Sequence, residues 1–330
     1  MKRLSAIYNV CALVIGVTGQ TYAQTLDDVR EQLREGLQNS QFAAVFAGLI
    51  VVSDELELSG ARYEIDDGDD NLSNTELRVF SLPFRKRFDP WKEARTRIYV
   101  EGVLGYGKSS QSAGDIYFGM IPGLETSVDA DWTTFGGLVG VGPEFKAMEG
   151  RLTIAPILNG GAAYIKSDAD YGGPGAVASA AIFDRLAFNW DGWTSEGGGA
   201  LRIDWVQPFW KVYELEMVGR YDIRWTQTFD TDSSAQDFSS RFQLLTLHSA
   251  VVGPTGVALW NRTLYWRALA GYRHFFEDSL FDVHDIVLLG AGLEYDITDV
   301  LPFRTRLAVK GGVILGEDIS GYTVGLGLSF

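Results

Sequence analysis

Two of the three histidines in this 330-residue chain bracket one acidic stretch. His274 and His284 flank Glu277, Asp278, Asp282 and Asp285, a grouping that general acid–base or metal chemistry would use. Strand parity works against that use. His274 shares a face with Trp266 and Tyr272, and His284 shares one with Leu288 and Glu294, so the two rings are expected on opposite sides of a wall. His274 then reads as part of an interfacial aromatic belt. His248 and Ser249 are adjacent in an alternating segment and point apart, which is poor geometry for a nucleophile and its base. Neither a Gly-x-Ser-x-Gly elbow nor a His-Glu-x-x-His motif occurs. Asp66, Asp67, Asp69 and Asp70 supply carboxylates but not the spacing or closing Glu of an EF-hand, and read as a solvated loop. No catalytic residue, cofactor or metal is assigned.

The other chemistry-bearing residues are charges that recur at every second position. In KVYELEMVGRYDIRWTQTF, Glu214, Glu216, Arg220, Asp222 and Arg224 alternate with Tyr213, Leu215, Met217, Tyr221, Ile223 and Trp225. In FRTRLAVKGGVIL, Arg304, Arg306 and Lys310 oppose Phe303, Leu307, Val309, Val313 and Leu315. Arg267 and Arg273 likewise oppose Leu264, Trp266, Ala268 and Tyr272. Charges so frequent on one face, with large apolar groups on the other, fit a wall between lipid and a wet lumen. Glu214, Glu216, Arg220, Arg304, Arg306 and Lys310 are the candidate lumen-lining residues.

The elements that position them are strands. A formal charge of −15 argues against binding duplex nucleic acid. No uncharged apolar run after the first residues reaches the roughly 18 needed for a spanning helix. Met1 to Ala23 read as an export signal: Lys2 and Arg3 precede a short apolar core from Val10 to Val17, and Thr21-Tyr22-Ala23 supplies a cleavage site. Cleavage would remove Cys11, the one cysteine. Beyond it, alternating segments run from Phe42 to Ile65, Leu77 to Phe84, Ile98 to Tyr106, Phe135 to Phe145, Leu152 to Ile165 and Leu201 to Val206, then through the segments above to DIVLLGAGLEY and GYTVGLGLSF. The tally is about twelve.

With Phe330 at the periplasmic end, the outward breaks are expected near Asp66 to Asn74, Ser109 to Ala130, Ser167 to Phe188, Asp230 to Ser240, Glu277 to Asp282 and Glu317, and most of the long acidic or Gly-rich breaks are among them. The periplasmic ones are expected near Arg87 to Glu93, Met148 to Gly150, Gln207 to Trp210, Gly253 to Trp260 and Asp296 to Pro302, of which Gly253 to Trp260 is long for such a turn. Alternation of long and short breaks is the loop asymmetry of outer-membrane barrels. Two long breaks carry more apolar residues than exposure requires: Tyr117, Phe118, Met120 and Ile121 in one, Ile182 and Phe183 in the other. They are expected to fold over the mouth, to meet a partner, or to pack on themselves.

Between signal and first strand lies TLDDVREQLREGLQNSQF, with Leu26, Val29, Leu33 and Leu37 at helical spacing. Its position is open between a periplasmic or surface helix and a plug in the lumen. Small faces at Gly136, Gly140, Gly142, Gly290, Gly292, Gly321, Gly325 and Gly327 would make room for a plug. Arg30, Glu31, Arg34 and Glu35 could then pair with the luminal charges.

In the last segment, Tyr322, Val324, Leu326, Leu328 and Phe330 occupy every second position. This resembles the assembly signal of bacterial outer-membrane barrels. A short helix leading into about twelve strands that end in Phe resembles, over nearly the whole mature chain, the translocator domain of autotransporters. The departure is that Ala23 is followed almost at once by the helix, with no passenger between, so the family's export function is not carried over.

The expectation is an all-β fold, a transmembrane antiparallel β-barrel of about 12 strands, divided as signal 1–23, helix 24–41 and barrel 42–330. Its place is the outer membrane of a Gram-negative bacterium. Its expected partners are outer-membrane lipid, the barrel assembly machinery and an unknown surface ligand. The leading function is that of a solitary, structural or surface-interacting barrel acting through long external loops. A narrow, porin-like passive channel is the alternative, and an outer-membrane hydrolase the third reading.

Overall fold

The computed structural model describes residues 57–65, 75–89, 95–117, 125–297 and 306–329, apart from 187, 211, 232, 234, 235, 238, 277–283 and 318. The signal, the helix with Arg30, Glu31, Arg34 and Glu35, the start of the expected first strand, and Arg304 lie outside the described residues.

Twelve strands form a closed antiparallel barrel in which each pairs with its chain neighbours and the last pairs with the first. They are β1 (Glu57–Ile65), β2 (Thr75–Phe88), β3 (Thr96–Tyr117), β4 (Glu125–Ala147), β5 (Leu152–Gly172) and β6 (Trp190–Phe209). The second half comprises β7 (Tyr213–Phe229), β8 (Ser239–Leu259), β9 (Arg262–Phe275), β10 (Asp285–Asp296), β11 (Arg306–Gly316) and β12 (Ile319–Ser329). Among the described residues one short α-helix, α1 (Ala176–Phe183), sits between β5 and β6.

The period-two pattern sorts the side chains. Phe80, Phe135, Val139, Leu158 and Val324 face outward at 57–75% exposure or close to it, while Ser81, Thr134, Thr194 and Arg202 on the same strands or their neighbours are buried inside. The outer face is thus apolar, as a lipid-facing wall requires, while the inside mixes polar and charged groups with buried Val79, Leu138, Ile157 and Leu244. The β1–β12 seam runs from Glu57↔Gly327 to Ile65↔Ile319, and Thr323 Oγ1 donates to the Gly60 carbonyl across it.

Register fixes the shape. A cross-strand row that starts at Asp191 on β6 passes Lys166, Thr133, Lys108, Arg78, Arg62 and Tyr322. It continues through Val313, Leu289, Ala270, Ser249 and Met217 and returns to β6 at Trp205. The offset from 191 to 205 is 14 residues over twelve strands. With ordinary strand spacing this gives a tilt of about 40° and a barrel roughly 23 Å across between backbones.

The wall is uneven in height. Strands β3 to β6 have 20 to 23 residues, whereas β10 to β12 have 11 or 12. At that tilt the long strands rise about 50 Å and the short ones about 30 Å, against an apolar band about 25 Å tall.

Three breaks differ from expectation. The stretch Gly253 to Trp260 is not a turn: β8 runs on to Leu259 and the chain reverses at Trp260 and Asn261, both at positive φ. Pro254 cannot donate to the ladder, and the pairing shifts register between Pro254 and Ala258, with Gly256 at φ +79°. A bulge thus absorbs the Gly and Pro that suggested a turn. The breaks Ser109 to Ala130 and Ser167 to Phe188 are shorter than expected, because β3 and β5 continue to Tyr117 and Gly172 and β4 starts at Glu125. Above the lipid both faces of a strand are wet, so apolar alternation fades while pairing continues.

Candidate functional site: a charged lumen

Two ion pairs establish that the interior is bridged. Arg220 Nη1 on β7 donates to Glu101 Oε2 on β3 at 2.8 Å. Arg87 Nη2 on β2 donates to Asp204 Oδ2 on β6 at 3.2 Å. In each case the strands stand four apart in the wall, so the contact crosses the lumen.

These bridges are held by further charges at alternate positions. Arg220 Nε donates to Asp222 Oδ2 at 2.7 Å, and Arg224 links Asp222 to Glu196 at 2.9 and 2.8 Å. The Arg224 guanidinium also lies 5.6 Å from the Phe242 ring centre. Glu144, fully buried, accepts from Arg87 Nε at 2.8 Å and from Arg97 Nε at 2.7 Å. Arg202 donates to Asp204 at 2.7 Å, and Tyr99 donates to Glu101 at 2.9 Å. A second group joins β7 to β9, β10 and β11. There Arg267 Nη1 donates to Glu216 Oε2 at 2.6 Å, and the buried Glu294 accepts from Arg267 and Arg306. Arg306 stacks over Tyr265 at 4.0 Å. Isolated charges would be too costly in such an interior; pairing on several sides makes them tolerable and fixes their rotamers.

Of the expected lumen-lining residues, Arg220 is the β7 end of the Arg220–Glu101 bridge, and Glu216 and Arg306 belong to the second group. Glu214 is partly buried beside Glu216. Lys310 stands in register between Gly292 and Gly325, and its stem occupies the space a Cβ at Gly292 would need. The partners Arg87, Glu101, Glu144, Arg202 and Asp204 were not singled out in the sequence. Arg85 and Arg87 do alternate with Phe84 and Phe88, and that was the available signal.

Around β10 to β12 the inward positions include Gly290, Gly292, Ala308, Gly312, Thr323 and Gly325, which leave a bare arc beside the inward Glu294, Arg306 and Lys310 of the same strands.

The mouth at the α1 end is roofed on the side of the tall strands. Phe183 of α1 and the nearby Phe188 are buried, and their rings lie 6.2 Å apart. Phe188 meets Trp132 of β4 at 6.1 Å, and Trp132 meets Trp190 of β6 at 5.9 Å. Ser179 Oγ donates to Thr126 Oγ1 at 3.3 Å, and Gln236 Nε2 from the next loop donates to the Arg185 carbonyl at 2.9 Å. Phe183 and Phe188 of this break therefore pack inward, whereas Val177 is exposed. Phe118, Met120 and Ile121 lie outside the described residues.

The histidines are placed as follows. His274 projects outward on β9, stacked on Tyr272 at 6.4 Å and edge-on to Phe276 at 4.7 Å, with Nδ1 2.8 Å from Asp285 Oδ1. His284 precedes β10, with Nδ1 3.5 Å from the Phe275 carbonyl. His248 and Ser249 occupy adjacent register positions on β8, opposite Gly271 and Ala270.

No family model matches the chain, and no curated protein matches it. Among solved structures it is similar to the β-domain of the Bordetella autotransporter BrkA, at 13% identity and TM-score 0.45, covering 84% of this chain and 100% of that one. It is similar to the translocator domain of the autotransporter NalP from Neisseria meningitidis, at 11% identity and TM-score 0.47, covering 90% and 96%. It is also similar to the COG4313 outer membrane channel from Pseudomonas putida F1, at 12% identity and TM-score 0.35, covering 84% and 96%.

Proposed function

We propose that this chain is an integral barrel of a Gram-negative outer membrane that stands closed and acts through its external face. The observation that carries this reading is the Arg220–Glu101 bridge between strands four apart, which closes the β3 to β7 side of the lumen and leaves the rest to be filled by the helix. The roof formed by Phe183 and Phe188 supports it from the external end. In this reading the charges at Glu214, Glu216, Arg220, Arg304, Arg306 and Lys310 line the lumen. The segment 24–41 is a helix seated against the bare arc, with Arg30, Glu31, Arg34 and Glu35 toward the luminal charges. The terminal alternating strand serves delivery by the barrel assembly machinery, and the external loops meet a surface ligand.

The bare arc itself favours a second reading, a narrow passive channel in which that arc is the passage. Single-channel recording in planar bilayers separates the two. The full chain is expected to be silent at moderate voltage, and a variant deleted from Gln24 to Ser40 to conduct. Steady conductance from the full chain, equal to that of the deletion, would replace the closed barrel with the channel.

A further inference from the structure

Among the charges of the lumen, two are left over. Arg85 on β2 and Arg273 on β9 line a cavity of about 60 Å³ together with Arg220, Arg224, Tyr99 and Glu101. Arg220 and Arg224 are compensated by Glu101, Asp222 and Glu196. Among the described residues, no carboxylate lies in salt-bridge range of Arg85 or Arg273. Arg273 is only 6% exposed, and its Nε, like that of Arg224, is buried without an acceptor. The network around the cavity contains Arg85, Arg87, Arg97, Arg202, Arg220, Arg224 and Arg273, seven cations. Against them, among the described residues, stand Glu101, Glu144, Glu196, Asp204 and Asp222, five anions, two fewer than the cations. This local surplus stands out in a chain whose net charge is −15.

We infer that this cavity is a binding site for a small oxyanion of the phosphate or sulfate type. A doubly charged tetrahedral anion matches the surplus of two. Its oxygens suit planar guanidinium forks, which pair with such groups through parallel hydrogen bonds. The volume is right as well, since it exceeds what one water needs several-fold and is too small for a sugar or a nucleotide. Wall position adds rigidity: Arg85 and Arg273 project from paired strands rather than loops, so the site is formed before the anion arrives. The inference goes beyond the closed-barrel reading and requires that Glu31 and Glu35 meet luminal charges other than Arg85 and Arg273.

The test uses the full chain refolded in detergent, with thermal unfolding followed in chloride and in inorganic phosphate at one ionic strength. The wild-type midpoint is expected to rise by a few degrees as phosphate goes from zero to saturation, following the logarithm of its concentration. The double variant Arg85→Met with Arg273→Met is expected to start above wild type in chloride, because two uncompensated charges, one half-buried and one buried, are gone, and to show no phosphate response. Arg273→Lys, which keeps charge but loses the fork, is expected to show a reduced response. Titration calorimetry of phosphate into the wild type gives a second readout that does not require the variants to fold. Three results would overturn the site: no difference between phosphate and chloride for the wild type, an equal phosphate response in the double variant, or a response confined to a chain deleted from Gln24 to Ser40. The last would assign the missing negative charge to the chain itself.

Discussion

Glu144 has no exposed surface and accepts from two arginines on two other strands, Arg87 on β2 and Arg97 on β3. Its value lies in what its removal would leave behind. Glu144→Gln keeps the shape but leaves Arg97 without its carboxylate and Arg87 with Asp204 alone, and breaking a buried pair from one side costs about 3–5 kcal/mol. Denaturant unfolding of the variant is expected to show a loss of that size. A loss below about 1 kcal/mol would mean that water reaches Glu144 and that this part of the lumen is open. The same reasoning gives opposite signs at different residues. Removing a paired acid destabilises, whereas removing an unpaired arginine relieves a cost, and only the contacts distinguish the two cases.

At the scale of elements, α1 and the residues after it rest on the barrel without belonging to its hydrogen-bonded wall. Phe188→Ala removes the ring that joins Phe183 to Trp132, so the roof is expected to open while the strands beneath stay paired. Trypsin should then cut after Arg185 in the variant and not in the wild type, with the global unfolding midpoint almost unchanged. Equal resistance in both would show that other contacts hold the roof. The roof also marks where sequence reading runs out. Strand faces were legible because alternation of residues such as Tyr213 to Trp225 needs only local information. The upper parts of β3 and β5 were not, since Ser, Ala, Gly and Asp on two wet faces carry no alternation. Glu101 in YVEGVLGYG and Glu144 in VGPEFKA each look like an isolated charge near a strand end. Their importance comes from partners such as Arg220, 119 residues away, and no local pattern encodes that distance.

For the whole molecule, the uneven wall makes a prediction about depth. Leu158 points outward at 75% exposure in the apolar band, whereas Thr133 points outward on the tall wall, in register between Lys108 and Lys166. An arginine at the bilayer midplane costs about 2–4 kcal/mol, and near the interface about 0–1. Leu158→Arg should therefore lower stability in phospholipid vesicles by the larger amount and Thr133→Arg by almost nothing. Similar losses at both positions would mean that the membrane covers the tall wall as well. Lys108, Lys166 and Arg78 pair with Asp131, Asp168 and Glu76 on this outer surface, as suits strands that stand in water.

The seam between β1 and β12 carries a consequence for biogenesis. Every other pairing in the wall joins strands that are neighbours in sequence, and can form as a hairpin while later residues are still arriving. The seam alone joins segments about 260 residues apart, as the bond from Thr323 to Gly60 shows. Pairing over such a separation is slow to nucleate. A chain that stops short of Ile319 keeps two open edges, each a row of unsatisfied backbone groups that hydrocarbon does not tolerate. Closure thus doubles as a check on completeness: only a chain that has reached its final strand can hide both edges, and a truncated one stays visible to proteases.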